Sequence, residues 1–184
     1  MTVTLKNIKK SYGDRIIFDN FNREILFDKP VVLMGESGVG KTTLARMIAG
    51  LEKSDFGEIS GVPEAVSFMF QEDRLLPWLS TKENVEYVSD GKAADYYLER
   101  VLLCGEKDTL VSELSGGMKR RVALARALAY KSELVILDEP FKGLDIELKK
   151  KMIALILEEK RHFLIITHEA EDAVLLGANV INIQ

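Results

Sequence analysis

Residues 31–50 read "VVLMGESGVGKTTLARMIAG", a short apolar run that leads through a glycine-rich loop into a helical pattern. The apolar run predicts a buried strand, and Gly50 stands where a helix would end. Within the loop, residues 35–42 fit the pattern G-x-x-x-x-G-K-[ST], which binds phosphate when a strand precedes it and a helix follows it. Both conditions are met, so this stretch predicts a phosphate-binding loop on an α/β fold.

Each residue type in this loop has a mechanical reason to be there. The glycines let the backbone curl until its N–H groups face one point, which suits a triphosphate. Lys41 can reach the β- and γ-phosphates, and the Thr42 hydroxyl can bind Mg²⁺. The predicted nucleotide-binding residues of the loop are Gly35, Glu36, Ser37, Gly38, Val39, Gly40, Lys41, Thr42 and Thr43.

Three further apolar runs, at residues 66–70, 134–139 and 163–167, are rich in β-forming residues at nearly every position. Such runs are typical of strands covered on both faces, and therefore of a parallel sheet with helices on either side. Two N-terminal segments, residues 3–8 and 16–21, flank a turn signal and predict antiparallel strands. The sequence thus predicts a mostly parallel sheet accompanied by an antiparallel β subdomain.

A helical segment interrupts this pattern. Ser80 and Glu83 form a capping box that predicts a short helix ending near Asp90, and a second helix is expected at about residues 93–103. No buried strand separates the two helices, so residues 73–112 are interpreted as a helical subdomain. The rest of the single domain, residues 1–72 and 113–184 of 1–184, would form the sheet-containing core.

Polar side chains follow the predicted buried strands. Asp138 and Glu139 come at the end of one strand, at the edge where open α/β sheets place their ligands. Asp138 can hold a metal ion, and Glu139 can act as the base that activates an attacking water. Gln71 and His168 follow two other strands in the same way, which makes them candidates for contacts to Mg²⁺ and the γ-phosphate. We expect Lys41, Glu139 and His168 to be catalytic.

A second candidate anion site lies far along the chain, in "LSGGMKRRVALARALA" at residues 114–129. Ser115, Gly116 and Gly117 begin a predicted helix whose first N–H groups can hold an anion. One nucleotide needs only one such loop. We therefore expect another copy of the chain to supply this second anion-binding site to the nucleotide. Nucleotide binding would then join the copies, and hydrolysis would separate them.

Composition excludes several classes of protein. Hydrophobic residues make up 47% and charged residues 29%, as in ordinary globular proteins, and no apolar run is long enough to span a bilayer. The net charge of −4 provides no broad basic field, so nucleic acid is not an expected partner. Two basic triplets, Lys119–Arg121 and Lys149–Lys151, are more often solvated helix faces than binding patches. The single Cys104, expected to be buried, and the lack of a secretory leader favour the cytoplasm.

These motifs, in this order, resemble the ATP-binding cassette (ABC) ATPases over residues 3 to about 183. The residues that carry the resemblance are "GESGVGKTT", Gln71, "LSGGMKRR", "LVILDEP", "GLD" and His168. The family implies a P-loop NTPase core of RecA-like type, with ATP and Mg²⁺ as cofactors. It also implies a head-to-tail dimer, a homodimer or a heterodimer with the homodimer favoured, that holds two ATP molecules between its subunits.

The resemblance also implies individual roles. Tyr12 would stack on adenine, Gln71 would sense Mg²⁺ together with the metal-binding Thr42 and Asp138, and Asp145 would cross the dimer interface. Ser115, Gly116 and Gly117 would contact the ATP held by the other subunit. Met118 departs from the family, which often has Gln there, and "FKGLD" replaces smaller residues before Asp145.

Residues 70–85, "FQEDRLLPWLSTKENV", resemble the importers of nitrate, sulfonate and taurine. Leu76, Pro77 and Trp78 would then lie at or near a groove that receives a membrane permease, although Trp78 could equally cap the core of the helical subdomain. An external substrate-binding protein is a further partner of such importers. The location implied is the cytoplasm, peripheral on the inner face of the cell membrane, and the transported substrate cannot be derived from this chain.

Two alternatives remain at this stage. A soluble ABC-type ATPase that acts on DNA or ribosomes typically has long coiled coils or two cassettes, and neither occurs in this sequence. A nucleotide switch with little turnover would be expected to lose Glu139 or His168, and both are present. The sequence therefore favours the ATP-hydrolysing subunit of a transporter, most simply an importer.

Overall fold

The computed structural model describes all residues, 1–184. A parallel sheet of five strands in the order β5-β6-β7-β3-β8 forms its centre. These strands are β3 (Val31–Met34), β5 (Val66–Met69), β6 (Leu134–Asp138), β7 (His162–Ile166) and β8 (Asn179–Asn182). All neighbours in this sheet are parallel, so the segments that follow the strands meet at one edge.

A second sheet of three antiparallel strands packs against the first. It has the order β2-β1-β4 and consists of β1 (Thr2–Tyr12), β2 (Arg15–Leu26) and β4 (Phe56–Ser60). The predicted hairpin of β1 and β2 is confirmed, whereas β4 was not predicted. Its sequence "FGEIS" carries little signal, because only Ile59 is even half-buried.

Helices cover both faces of the parallel sheet, as predicted. They are α1 (Lys41–Ile48), α4 (Gly116–Ala129), α5 (Ile146–Glu158) and α6 (Ala170–Leu175). Alternate residues of β6 face opposite sides: Ile136 packs in the apolar cluster that contains α1, and Val135 packs in the cluster that contains α4 and α5. None of the helices is long and apolar enough to cross a bilayer.

The segment between the sheet strands contains α2 (Thr81–Glu86) and α3 (Gly91–Arg100), with two short 3₁₀ turns after them. The predicted capping box is present: the backbone N–H of Ser80 donates to Glu83 Oε2 at 2.7 Å, and that of Glu83 donates to Ser80 Oγ at 3.2 Å. The expected boundaries of both helices are shifted. α2 ends at Glu86, and α3 begins earlier than expected because Asp90 caps it.

Three surface expectations are wrong. Cys104 is exposed. The two basic triplets are not uniformly solvated, because Arg120 and Lys149 are only 4% and 5% exposed. Lys149 lies on the buried stripe of α5 and pairs with Asp172, whose Oδ1 is 2.9 Å from its Nζ. Arg120 lies on the buried stripe of α4, one turn before Leu124.

Candidate nucleotide-binding site

The loop between β3 and α1 has a backbone that requires glycine. Gly40, the residue before α1, has a φ of 109°, and no side chain caps the first turn of the helix. A Cβ on Gly40 would lie 2.5 Å from Ile17 Cγ2, and one on Gly35 would lie 2.3 Å from the carbonyl oxygen of Ile183. The uncapped N–H groups of α1, together with the positive end of the helix dipole, are suited to an anion.

Lys41 places its ammonium group across this loop. Its Nζ donates to the carbonyl oxygens of Gly35 at 2.9 Å and Glu36 at 2.8 Å. Arg15 reaches the same loop from the start of β2, where its Nη2 donates to the carbonyl oxygen of Gly38 at 2.7 Å. Two cations therefore flank the peptide groups that would receive a triphosphate.

A cleft of about 460 Å³ opens above this loop. It brings together residues from β1, the loop, α1 and the ends of β5 and β6. The sequence-predicted residues that line it are Tyr12, Ser37, Gly38, Gly40, Lys41, Thr42, Thr43, Gln71, Asp138 and Glu139. Gly35, Glu36 and Val39 lie beside a separate hollow next to the C-terminal residues.

Thr42 and Asp138 meet at the base of the cleft. The Thr42 hydroxyl donates to Asp138 Oδ2 at 2.7 Å, and Asp138 is only 1% exposed. Burial raises the pKa of Asp138, although the hydrogen bond from Thr42 opposes the shift. A buried carboxylate with a neutral partner is costly, and a hydroxyl and a carboxylate oxygen are ligands that Mg²⁺ prefers. These residues therefore fit a magnesium ion.

Glu139 lines the cleft and pairs with His168, which does not itself line it. His168 Nδ1 lies 2.9 Å from Glu139 Oε1, and the hydrogen bond and charge of Glu139 raise the pKa of His168. Glu139 follows β6 directly and has a φ of 53°, in the left-handed region that a non-glycine residue rarely adopts. Such backbone conformations cluster at functional sites, where surrounding contacts hold them in place.

Tyr12, the last residue of β1, also lines the cleft and is 48% exposed. Its hydroxyl donates to Glu52, and Lys10 Nζ lies 5.0 Å from the centre of its ring. Lys10 also pairs with Glu52 at 3.0 Å, so the three side chains form one cluster. These contacts fix the position of an exposed aromatic ring beside the phosphate-binding loop, where it could stack on a nucleotide base.

Ser115, Gly116 and Gly117 do not line the cleft of their own chain. Ser115 caps α4, since its Oγ accepts the backbone N–H of Met118 at 3.3 Å. A Cβ on Gly117 would lie 3.5 Å from the carbonyl oxygen of Gly143, so this helix start is next to the loop that leads to Asp145. Both features expected at a dimer interface thus lie side by side, away from the nucleotide cleft.

Comparison with known proteins identifies the family. The profile of the ABC transporter family matches residues 18–142. The chain belongs to this family. The aliphatic sulfonates import ATP-binding protein SsuB 3 of Paraburkholderia xenovorans (strain LB400) is 41% identical over 98% of this chain and 76% of its own length. An SsuB 2 protein of Pseudomonas syringae pv. syringae (strain B728a) is 40% identical over 97% of this chain and 68% of its own length.

A solved structure of an ATP-binding cassette supports the assignment of this chain to the ABC transporter family. The ATP-binding cassette MJ0796, in a dimeric post-hydrolysis state bound to ADP and Pi, superimposes with a TM-score of 0.88 at 28% identity. That match covers 99% of this chain and 94% of the other. This ABC ATPase is therefore an ATP-binding and ATP-hydrolysing subunit of a transporter.

Sequence reasoning missed several residues of the ABC ATPase site. Arg15, Ile17 and Ile166 line the cleft but belong to no motif. Arg120 lies beneath it, bonded to the residues that follow β5 and β6. Periodicity gave a usable signal for Arg120 alone, because it shares a helical stripe with Leu124 and Leu128.

Proposed function

We propose that this ABC ATPase powers an importer of the aliphatic sulfonate class. The meeting of Lys41, Asp138 and Glu139 in one cleft supports ATP hydrolysis at this site. The import activity is supported by relatives that match nearly the whole chain and carry it in their names. An external substrate-binding protein is part of the proposal, since the resemblance of residues 70–85 to such importers implies one as a partner.

ATP binds with its adenine ring on Tyr12 and its phosphates on the loop before α1. Lys41 exchanges its bonds to the loop carbonyls for bonds to the β- and γ-phosphates, which places its charge beside the leaving phosphate. Thr42, Asp138 and Gln71 would hold Mg²⁺, whose charge neutralises the phosphate oxygens. Each of these residues already lines the same cleft.

Glu139 supplies the base of the reaction. Its carboxylate accepts a proton from the water that attacks the γ-phosphate, while ADP leaves on the opposite side of the phosphorus. His168 starts bonded to Glu139 and contacts the γ-phosphate when ATP is bound. This exchange of partners would free the Glu139 carboxylate for the water only when the nucleotide is in place.

A second copy of the chain completes the site. Ser115, Gly116 and Gly117 are free of their own cleft, and their helix start offers N–H groups to the γ-phosphate of the partner's ATP. Asp145 lies on the same surface and would cross the interface. The dimeric form of MJ0796 supports this arrangement.

The permease docks on the helical side of the ABC ATPase. An apolar groove of about 210 Å³ is lined in part by Phe68, Phe70, Val88 and Tyr130. Phe70 is the residue that precedes Gln71 in the sequence. Trp78 follows the lining residue Asp73 by five positions in the sequence and is 69% exposed. It therefore does not cap the core of its own subdomain. Docking there places the subunit in the cytoplasm, at the inner face of the membrane.

The test measures phosphate release by the purified chain with ATP and Mg²⁺, and then sulfonate uptake by vesicles that contain the chain, its permease and the substrate-binding protein. We expect hydrolysis that requires Mg²⁺ and uptake that requires ATP. Hydrolysis without any uptake of sulfonates would contradict the substrate class. The absence of hydrolysis both by the purified chain and in the vesicles would contradict the proposed ATPase activity.

A further inference from the structure

Arg120 is the most buried charged side chain of α4, at 4% exposure. The helix begins five residues earlier with Ser115, on the surface proposed to meet the partner's ATP. Arg120 lies one turn into the helix and points beneath the nucleotide cleft, where it contacts the residues that follow β5 and β6. Its place is therefore between the two surfaces that the reaction uses.

The guanidinium group of Arg120 donates to both segments at once. Nε and Nη2 donate to the carbonyl oxygen of Glu139 at 3.0 and 2.8 Å, and Nη2 also donates to that of Asp138. Nη1 donates at 3.0 Å to the carbonyl oxygens of Phe70 and Gln71. One side chain thus forms hydrogen bonds to the backbone carbonyl oxygens of Gln71, Asp138 and Glu139, which all line the cleft.

One carboxylate forms a direct ion pair with this buried charge. Asp73 Oδ1 lies 2.8 Å from Arg120 Nη1, and its side chain remains 28% exposed. The other acceptors are backbone carbonyl oxygens. Because a guanidinium group is planar and presents its N–H groups in fixed directions, these bonds set the position of the Glu139 peptide relative to the Gln71 peptide.

The backbone of Glu139 needs such restraint. Its φ of 53° is unfavourable for a residue with a side chain, and a strained conformation persists only where the surroundings determine it. The N–H of Glu139 donates to the carbonyl oxygen of Ile166 at 2.9 Å, and its own carbonyl oxygen accepts from Arg120. The sheet fixes one end of this residue, and Arg120 fixes the other.

We propose that Arg120 is a positioning residue for catalysis, which holds Glu139 and Gln71 in their working geometry and ties them to the helix that begins at Ser115. This role rests on the proposed function of Glu139 as the base. Arg120 touches neither ATP nor the attacking water, so its removal lowers the rate of hydrolysis and leaves ATP binding unchanged. A shift of α4 against a partner subunit would also move Glu139 through the same bonds.

Two variants separate geometry from charge. Arg120→Met removes every donor, and Arg120→Lys keeps a cation that can pair with Asp73 but cannot bond both segments together. We expect kcat to fall roughly 10- to 100-fold in both, part of the 10²–10⁴-fold that a positioned base contributes. The dissociation constant for ATP, measured by calorimetry, should change by less than about twofold, because the phosphate-binding loop is untouched.

Arg121→Met is the matched control on the same helix. Arg121 donates through Nη1 to the carbonyl oxygens of Val101 and Leu102, which belong to the helical subdomain and not to the cleft. We expect this variant to have a lower melting temperature and an unchanged kcat. An equal loss of kcat in the Arg120 and Arg121 variants would show that α4 stability, not positioning, is the cause.

A double-mutant cycle with Glu139→Gln tests the coupling directly. Once the base is gone, Arg120→Lys should cause no further fall in the single-turnover rate, since the two residues act as one unit. Equal losses with and without Glu139 would overturn the proposal, as would wild-type turnover of Arg120→Lys. If the wild-type chain and Arg121→Met both fail to hydrolyse ATP, the proposed function fails instead.

Discussion

His168 Nδ1 lies 2.9 and 3.0 Å from the two carboxylate oxygens of Glu139. The two residues come from the ends of neighbouring strands, β6 and β7, and both are expected to act on the γ-phosphate. Their direct contact means that neither side chain is independent of the other. In the mechanism that we propose, binding of a nucleotide competes with this pair before hydrolysis begins.

The first prediction concerns the protonation of His168. Glu139 raises the pKa of His168 above its ordinary value of 6.5, chiefly through their hydrogen bond. The pair therefore stabilises the fold fully below the unfolded pKa and loses this contribution as pH rises through the folded pKa. An NMR titration should give a raised pKa for His168, and Glu139→Gln should return it towards 6.5. Identical titration curves in the two proteins would contradict the pairing.

The second prediction concerns Glu139 as the base. Glu139→Gln should lower phosphate release by roughly 10²–10⁴-fold, the usual contribution of a positioned base, because the amide cannot accept the proton of the water. ATP binding should persist, since the phosphate-binding loop is intact. Light scattering with saturating ATP should then detect an accumulated dimer. Normal turnover would remove Glu139 from this role, and a monomer at saturating ATP would contradict the shared site.

The third prediction concerns Lys41. Lys41→Ala should weaken Mg-ATP binding roughly 10- to 100-fold, because a hydrogen bond to a charged group contributes about 1.5–3 kcal/mol. Calorimetry measures this directly. Lys151→Ala is the control, since that lysine is exposed on α5 and does not line the cleft. Equal affinities of Lys41→Ala and the wild type would argue against the phosphate-binding loop.

The sequence predicted the parallel sheet and its polar edge because both depend on local patterns. A strand buried on both faces, such as residues 134–138, is apolar throughout, and parallel strands place their final residues at one edge. The glycine loop was predicted equally well from the sequence. Gly35 and Gly40 occupy positions where a Cβ would clash, so the fold requires glycine there and the sequence motif shows it. Such features depend on residues that are consecutive in the sequence.

Features that depend on distant residues could not be read in this way. β4 pairs with β1 although it buries almost nothing, so its strand depends on partners 50 residues away in sequence. Arg120 was predicted to be part of a solvated basic triplet. Its spacing from Leu124 and Leu128 indicates burial, but its acceptors are backbone carbonyl oxygens, which have no sequence signature. The contact of His168 with Glu139 likewise follows from the adjacency of β6 and β7.

The last prediction concerns the docking surface of the permease. Trp78 is 69% exposed, and tryptophan is enriched among the residues that contribute most to binding at protein interfaces. Trp78→Ala should therefore leave ATP hydrolysis by the isolated chain unchanged and lower ATP-driven uptake in vesicles that contain the permease. Tyr96→Ala is the matched control, because Tyr96 is also an exposed aromatic residue of the helical segment, at 50%, but lies outside residues 70–85. Equal uptake by the wild type and Trp78→Ala would place the permease elsewhere, whereas a loss shared with Tyr96→Ala would extend the docking surface onto α3.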